Sequence, residues 1–192
     1  MLQSSSTSRS SHPLDRPLHR RAVTGSEVSL SAFVLLFGEL VQLHQTTSSS
    51  VPEFEAALSK SGWEVGSRTY LMNANVKVRE IRVLGVLQFL SSNVWMSLFN
   101  KKADSLEKSL NSESEYMIHD SNPLPTIFCE VPKTLGSFNP SSFVAGIIKG
   151  ALETAGFGCE VTAHRVEEGE GNRTVFLVNF CREVMEREEA FA

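Results

Sequence analysis

The stretch FNPSSFVAGIIKGALETAGFGCEVTAH, from Phe138 to His164, changes period part-way along, and that change decides the fold. Phe143, Val144, Ile147, Ile148, Ala151, Leu152 and Ala155 recur at helical spacing behind a cap at Asn139 or Ser141. Gly156 ends this helix, and CEVTAHRV then alternates with the period of a strand. Gly146 and Gly150 lie one turn apart on one side of the helix. Mid-helix glycine costs roughly 1 kcal/mol against alanine, so the pair predicts close approach of a neighbouring backbone. Cys159 and His164 stand five residues apart on the strand, which puts them on opposite faces and excludes a local thiolate–base pair.

Downstream, RTVFLVNF returns across EEGEGN, whose glycines and Asn172 signal a hairpin. CREVMEREEAFA then closes the chain as a short acidic helix or tail. Its Glu183, Glu186, Glu188 and Glu189 read as a solvated face, and residues 185–192 are expected as an acidic C-terminal tail.

Upstream, EYMIHD and TIFCEV are short and rich in branched and aromatic residues, and the prolines of SNPLP between them predict a strand hairpin. KKADSLEKSLNSESE before them reads as a solvated connection with at most one helical turn. VREIRVLGVLQFLSSNVWMSLFN predicts a longer helix with Leu84, Leu87, Trp95 and Leu98 on one side, widened by Ile81, Val94 and Phe99. VPEFEAALSKSG predicts a short helix with Pro52 in its first turn and Gly62 at its end, and VGSRTYLMNAN a further one. SEVSLSAFVLLFGELVQLHQ is a first amphipathic helix carrying Leu30, Phe33, Val34, Phe37, Leu40, Val41 and His44. Residues 1–26 lack apolar periodicity and read as a Ser/Arg-rich tail, a composition shared with organellar transit peptides.

Helices, hairpin, helix, hairpin: this order predicts one α+β domain over 27–184, with an antiparallel four-stranded sheet packed against four to five helices. A chain of 192 residues buries roughly 70% of its unfolded surface, enough for one core. The net charge of -4 and the absence of a basic stripe argue against nucleic acid as a partner. Cys129, Cys159 and Cys181 are odd in number and widely spaced, which fits a reducing compartment better than a disulfide framework. His119 and His164 have no ligand at metal-binding spacing, and GSRT, GIIKG and GFG match no phosphate-binding fingerprint, so neither a metal nor a cofactor is expected. No run is apolar enough to span a bilayer, and a soluble cytosolic protein is expected. The Phe and Leu stripe of the first helix exceeds what a thin α+β layer buries, which points to packing on another chain.

The segments SLSAFVLLFGELVQ (29–42), VGSRTY (65–70), REIRVLGVLQFLSSNVWMSLF (79–99), residues 122–164 and RTVFLVNF (173–180) together resemble the small subunits of TRAPP, the transport protein particle that tethers vesicles. The resemblance implies the same α+β fold. It also implies a non-catalytic scaffold that pairs side by side through its helical layer with other small subunits, especially the acylated founding subunit. The assembly acts between endoplasmic reticulum and Golgi and promotes nucleotide exchange on a Rab-type GTPase. Such a subunit is cytoplasmic and lies at endoplasmic reticulum and cis-Golgi membranes through the complex only. Leu30, Phe33, Val34, Phe37, Val41, Phe54 and Leu58 are the subunit-contact candidates under this resemblance. The founding subunit bears its acyl group on a cysteine after a G-x-R segment, whereas no cysteine follows Arg68 here before Cys129, so acylation there is not expected. Two other readings remain: a sensor of the related fold holding an acyl or other apolar ligand, and a cysteine-dependent hydrolase.

Overall fold

The structure, a computed structural model, describes residues 29–74, 80–110, 112–127, 129, 131–132, 135–168 and 171–190. The expected N-terminal tail, with its transit-peptide composition, lies outside the described residues, as does the tip of the EEGEGN loop.

Helix α1 (Leu30–Thr47) is followed after Ser48–Ser50 by α2 (Val51–Asn73). The start of α2 is well defined: the Ser50 hydroxyl accepts from Glu53 N–H, the Glu53 carboxylate accepts from Ser49 N–H, and Pro52 needs no donor in the first turn. The expected stop at Gly62 is incorrect, and the two short helices are one. The reason lies in α6 (Ser142–Ala155), which crosses α2. A methyl group on Gly62 or Gly66 would overlap the carbonyl oxygens of Phe143 and Ile147, and one on Gly146 or Gly150 those of Ser59 and Trp63. The two backbones therefore touch, with two glycines on each side, as Gly146 and Gly150 predict. Trp63 Nε1–H donates to Glu153 Oε2 at 2.6 Å and Thr154 Oγ1–H to Ser67 Oγ at 2.8 Å, pinning the crossing. Helix α6 ends as the sequence requires, at Gly156 with φ 90°. Gly156 N–H meets Glu153 O and Phe157 N–H meets Leu152 O, both at 2.9 Å, which satisfies the last carbonyls.

The expected long helix is α3 (Val83–Phe89), a π segment (Leu90–Val94) and α4 (Trp95–Phe99), end to end. The wider π turn leaves the Ser91 carbonyl free to accept from Ala103 N–H at 2.9 Å, which fixes the chain after α4. Leu87, Val94 and Trp95 are buried as the stripe predicts, whereas Ile81 and Leu84 are exposed. Helix α7 (Arg182–Glu189) forms over the acidic C-terminal segment, so the boundary drawn at 184/185 falls inside a helix anchored by buried Val184.

The sheet is antiparallel and four-stranded, in the order β1-β2-β4-β3, with β1 Ser105–Lys108, β2 Glu115–Asp120, β3 Cys159–Glu168 and β4 Gly171–Phe180. The class and strand number agree with the sequence reading, but the first hairpin does not. EYMIHD is β2, yet its partner is SLEK of the supposed solvated connection, paired Leu106 to Ile118 and Lys108 to Tyr116. None of the described residues of TIFCEV is in a strand: Leu124–Ile127 is a helical turn, α5, in which Thr126 N–H and Oγ1–H both reach Pro123 O at 2.9 Å. Prolines at 123 and 125 lack ladder donors and suit such a turn. The polar β1 is possible because it is a sheet edge, and among its residues Leu106 packs against the core.

One core lies between the sheet and the helices α3, α4 and α6, with Ile118, Phe176, Val178 and Phe180 facing Leu87, Trp95, Ile148 and Leu152. Within it, the fully buried Asp120 at the end of β2 accepts from Trp95 Nε1–H and Asn122 N–H, each at 2.9 Å, and from Lys101. This pairing is what permits a carboxylate at that depth. A smaller second core joins Phe37 of α1, Phe54 and Leu58 of α2, Phe138, and Phe143 and Ile147 of α6.

The N-terminus of α3 is closed by Glu188 of α7, which accepts from Val83 N–H at 2.9 Å and Arg82 Nε–H at 2.7 Å. Partial burial would raise the Glu188 pKa, but these hydrogen bonds and the Arg82 and Arg187 charges outweigh it and hold the group below its ordinary 4.5. A lowered carboxylate contributes stability above its unfolded pKa and loses it as pH falls through the folded value. Glu188→Gln is therefore expected to lower Tm by about 2–4 °C at pH 7, with the gap to the parent closing near pH 3; thermal melts at the two pH values check this. Gly66→Ala is expected to destabilise by about 3 kcal/mol or more in urea unfolding, since the overlap is with backbone that cannot move aside without separating α2 from α6.

Candidate partner-binding face

Helix α1 packs along α2, and its stripe is too wide for that one contact. Phe37 is its sole buried residue, stacked on Phe33 and edge-on to Phe143. On its flank Leu36 is 71% exposed and Leu43 56% exposed, and Leu35, further round, is 72% exposed. Helix α2 adds Val65 at 36% and Met72 at 77%. Between the two helices runs an apolar groove of about 410 Å³, with Phe33, Leu36, Phe37 and Leu40 on one wall and Ser61, Glu64, Val65 and Arg68 on the other. Leu98, Phe99, Phe143 and Ile147 form the rest of the lining. The polar atoms are at the rim, where Arg68 pairs with Glu64 at 3.4 Å. Inside, apolar atoms face open space, an arrangement relieved by burial against another apolar surface.

The seven residues expected at a subunit contact separate into two groups. Phe37, Phe54 and Leu58 belong to the chain's own second core; Phe54 and Leu58 are closed to solvent, whereas Phe37 also lines the groove. Leu30 is exposed, while Phe33, Val34 and Val41 are half-buried along α1. The sequence reading omitted Leu36, Leu43, Val65 and Met72. Leu36 and Leu43 sit one step off the strongest helical stripe, and that displacement was the available signal that they face outward.

Cys159 and His164 do not converge. Cys159 points into the main core, whereas His164 is exposed on the other face of β3 and bonds Thr162 Oγ1 at 2.8 Å. Burial pushes the Cys159 thiol up to about 12, with the Glu153, Glu160 and Cys181 charges acting in the same direction and Lys149 opposing them. Burial also raises Cys129, against the lowering effect of Arg165. Both groups are thiols, not thiolates, at neutral pH. His119 lies 3.6 Å from Glu107 on β1, and no cluster of metal-binding side chains occurs among the described residues. No described helix is long and apolar enough to cross a membrane.

From within α1 to the end of β4 the chain matches the family model "Transport protein particle (TRAPP) component", over residues 33–181. The chain belongs to the TRAPP component family. Among similar proteins, "Trafficking protein particle complex subunit 5" of Dictyostelium discoideum is 43% identical over 181 residues, covering 91% of this chain and 95% of that protein. The human protein of the same name is 38% identical over 168 residues, covering 86% and 87%. A solved structure of trafficking particle subunit 3 from Naegleria fowleri, covalently bound to palmitic acid, superposes with a TM-score of 0.64 at 16% identity, covering 80% of this chain and 95% of that one. At that identity the likeness establishes the shared TRAPP fold. In this TRAPP chain the groove lining contains no cysteine, and Cys129 borders a separate cavity on the far side of α1.

The thiol environments give a direct expectation. Under native conditions at pH 8, iodoacetamide is expected to modify exposed Cys181 first and Cys159 at least about a hundredfold more slowly, as peptide mass spectrometry would show.

Proposed function

We propose that this chain is a non-catalytic scaffold subunit of a TRAPP vesicle-tethering complex acting in endoplasmic reticulum to Golgi transport. The observation that carries this reading is the apolar α1–α2 groove on a chain that is similar over most of its length to proteins named as trafficking particle subunits. Its role is positional. The crossed α2 and α6 give a rigid body, and the groove with Leu36, Leu43, Val65 and Met72 gives the surface on which another small subunit, the acylated founding one in particular, is seated. Nucleotide exchange on a Rab-type GTPase is then a property of the assembly. Membrane association at endoplasmic reticulum and cis-Golgi is peripheral and passes through the complex. A second reading, binding of an acyl or other apolar ligand, is favoured by the size and lining of the same groove; without a cysteine in that lining, such binding would be noncovalent.

Leu36 and Leu43 are the residues for the test, because their side chains face solvent and not the second core, unlike Phe37. A tagged parent chain is expected to recover other trafficking particle subunits in near-equal amounts. The double variant Leu36→Asp and Leu43→Asp should lose that recovery by more than about a hundredfold, since two leucines contribute roughly 1.5–3 kcal/mol each when buried. Its thermal melt should match the parent's. Unchanged recovery would refute the placement of the contact. An apolar ligand released on denaturation of the purified chain, seen by native mass spectrometry, would favour the second reading.

A further inference from the structure

We propose that α1 is a detachable lid over the second core, opening and melting as a unit in the free chain while α2, α6 and the sheet stay folded. The first ground is the unequal seating of the helices. Helix α6 buries Phe143, Ile147, Ile148 and Leu152 among others, whereas α1 buries Phe37 alone. Among the described residues, the side-chain hydrogen bond tying α1 to another element is His44 Nε2 with Ser61 Oγ, at 2.8 Å. Open space adjoins α1 on both flanks: the groove of about 410 Å³ beside α2, and a cavity of about 310 Å³ bordered by Gly38, Val41 and Cys129.

The second ground is Gly38. The glycines of α2 and α6 are demanded by contact, since an added methyl group would strike backbone. A methyl group at Gly38 would meet nothing within 4 Å. Packing therefore does not require this glycine, and it lowers the helix-forming equilibrium of α1 about fivefold relative to alanine. Once off the body, an 18-residue helix with a central glycine does not persist in water, so detachment and melting are one event. Its tether is Ser48–Ser50, whose Ser48 and Ser50 are already extended. Opening uncovers Phe54, Leu58, Phe143 and Ile147, while the α2–α6 contact keeps its own glycine seam and pins. Such sub-global units open at free energies well below that of the whole domain.

The inference rests on packing alone and stands or falls separately from the proposed function. Native-state hydrogen exchange on the full chain at neutral pH tests it. Amides of α1 from Phe37 to His44 are expected to exchange at least about a hundredfold faster than those of Ile147 to Leu152 in α6. Gly38→Ala, a change that leaves the body untouched, should slow α1 about fivefold and leave α6 unaltered. A single common rate for α1 and α6, or equal slowing of both by Gly38→Ala, would mean that α1 opens only with the whole domain. Exchange of α1 at free-peptide rates in both proteins would mean that the lid never closes. Any of these results overturns the proposal.

Discussion

The contact on which the rest of the molecule depends is the crossing of α2 and α6, where glycines let two backbones meet without side chains between them. Close approach brings Ser59, Trp63, Phe143 and Ile147 carbonyl groups against the facing helix, and it makes the crossing point insensitive to rotamer choice. Helix α6 is also the helix that lies on β3, so α2 is fixed relative to the sheet through α6. Everything further out, including α1, inherits its position from this seam. Side chains of ordinary size would hold the helices about 8–10 Å apart and leave the second core of phenylalanines with a gap to fill.

A second constraint links the helical run α3–α4 to the sheet. Asp120 is fully buried, and a carboxyl group at that depth is tolerated because Trp95, Lys101 and the Asn122 amide each donate to it. The π turn just before Trp95 belongs to the same arrangement: it frees the Ser91 carbonyl for Ala103 and brings the chain back to start β1. The polar edge strand is thus held by the π turn at its start and by the ladder to β2 along its length. Its own composition contributes little.

A body built this way has apolar surplus on the outside of the helical layer. Cys159 is buried among apolar atoms, which pushes its thiol pKa up, the exposed histidine of β3 is turned away from it, and an apolar groove opens between α1 and α2. Those are the physical properties of a surface made to be covered. Helix α1, which buries Phe37 alone, forms one wall of that groove and α2 the other.

How much was legible in the sequence follows from how local each signal is. Helix α6, its glycine stop, the β3–β4 hairpin and the opposite faces of Cys159 and His164 were fixed by periodicity and turn chemistry within a few residues. The seam glycines at 146 and 150 were readable because a mid-helix glycine demands a reason. Gly62 was misread as a stop because a glycine that ends a helix and one that touches a neighbour look alike until the neighbour is known. SLEK became a strand, and LPTI a turn, because edge pairing and proline geometry outweighed residue preference. The candidate face divides the same way. The sequence by itself determined that α1 carries more apolar surface than one contact can bury. Only the tertiary structure decided that Phe37, Phe54 and Leu58 go to the chain's own core while Leu36, Leu43, Val65 and Met72 remain outside. The pattern of a helix gives the width of its apolar stripe, but the position of the neighbouring helix decides which part of that stripe is covered.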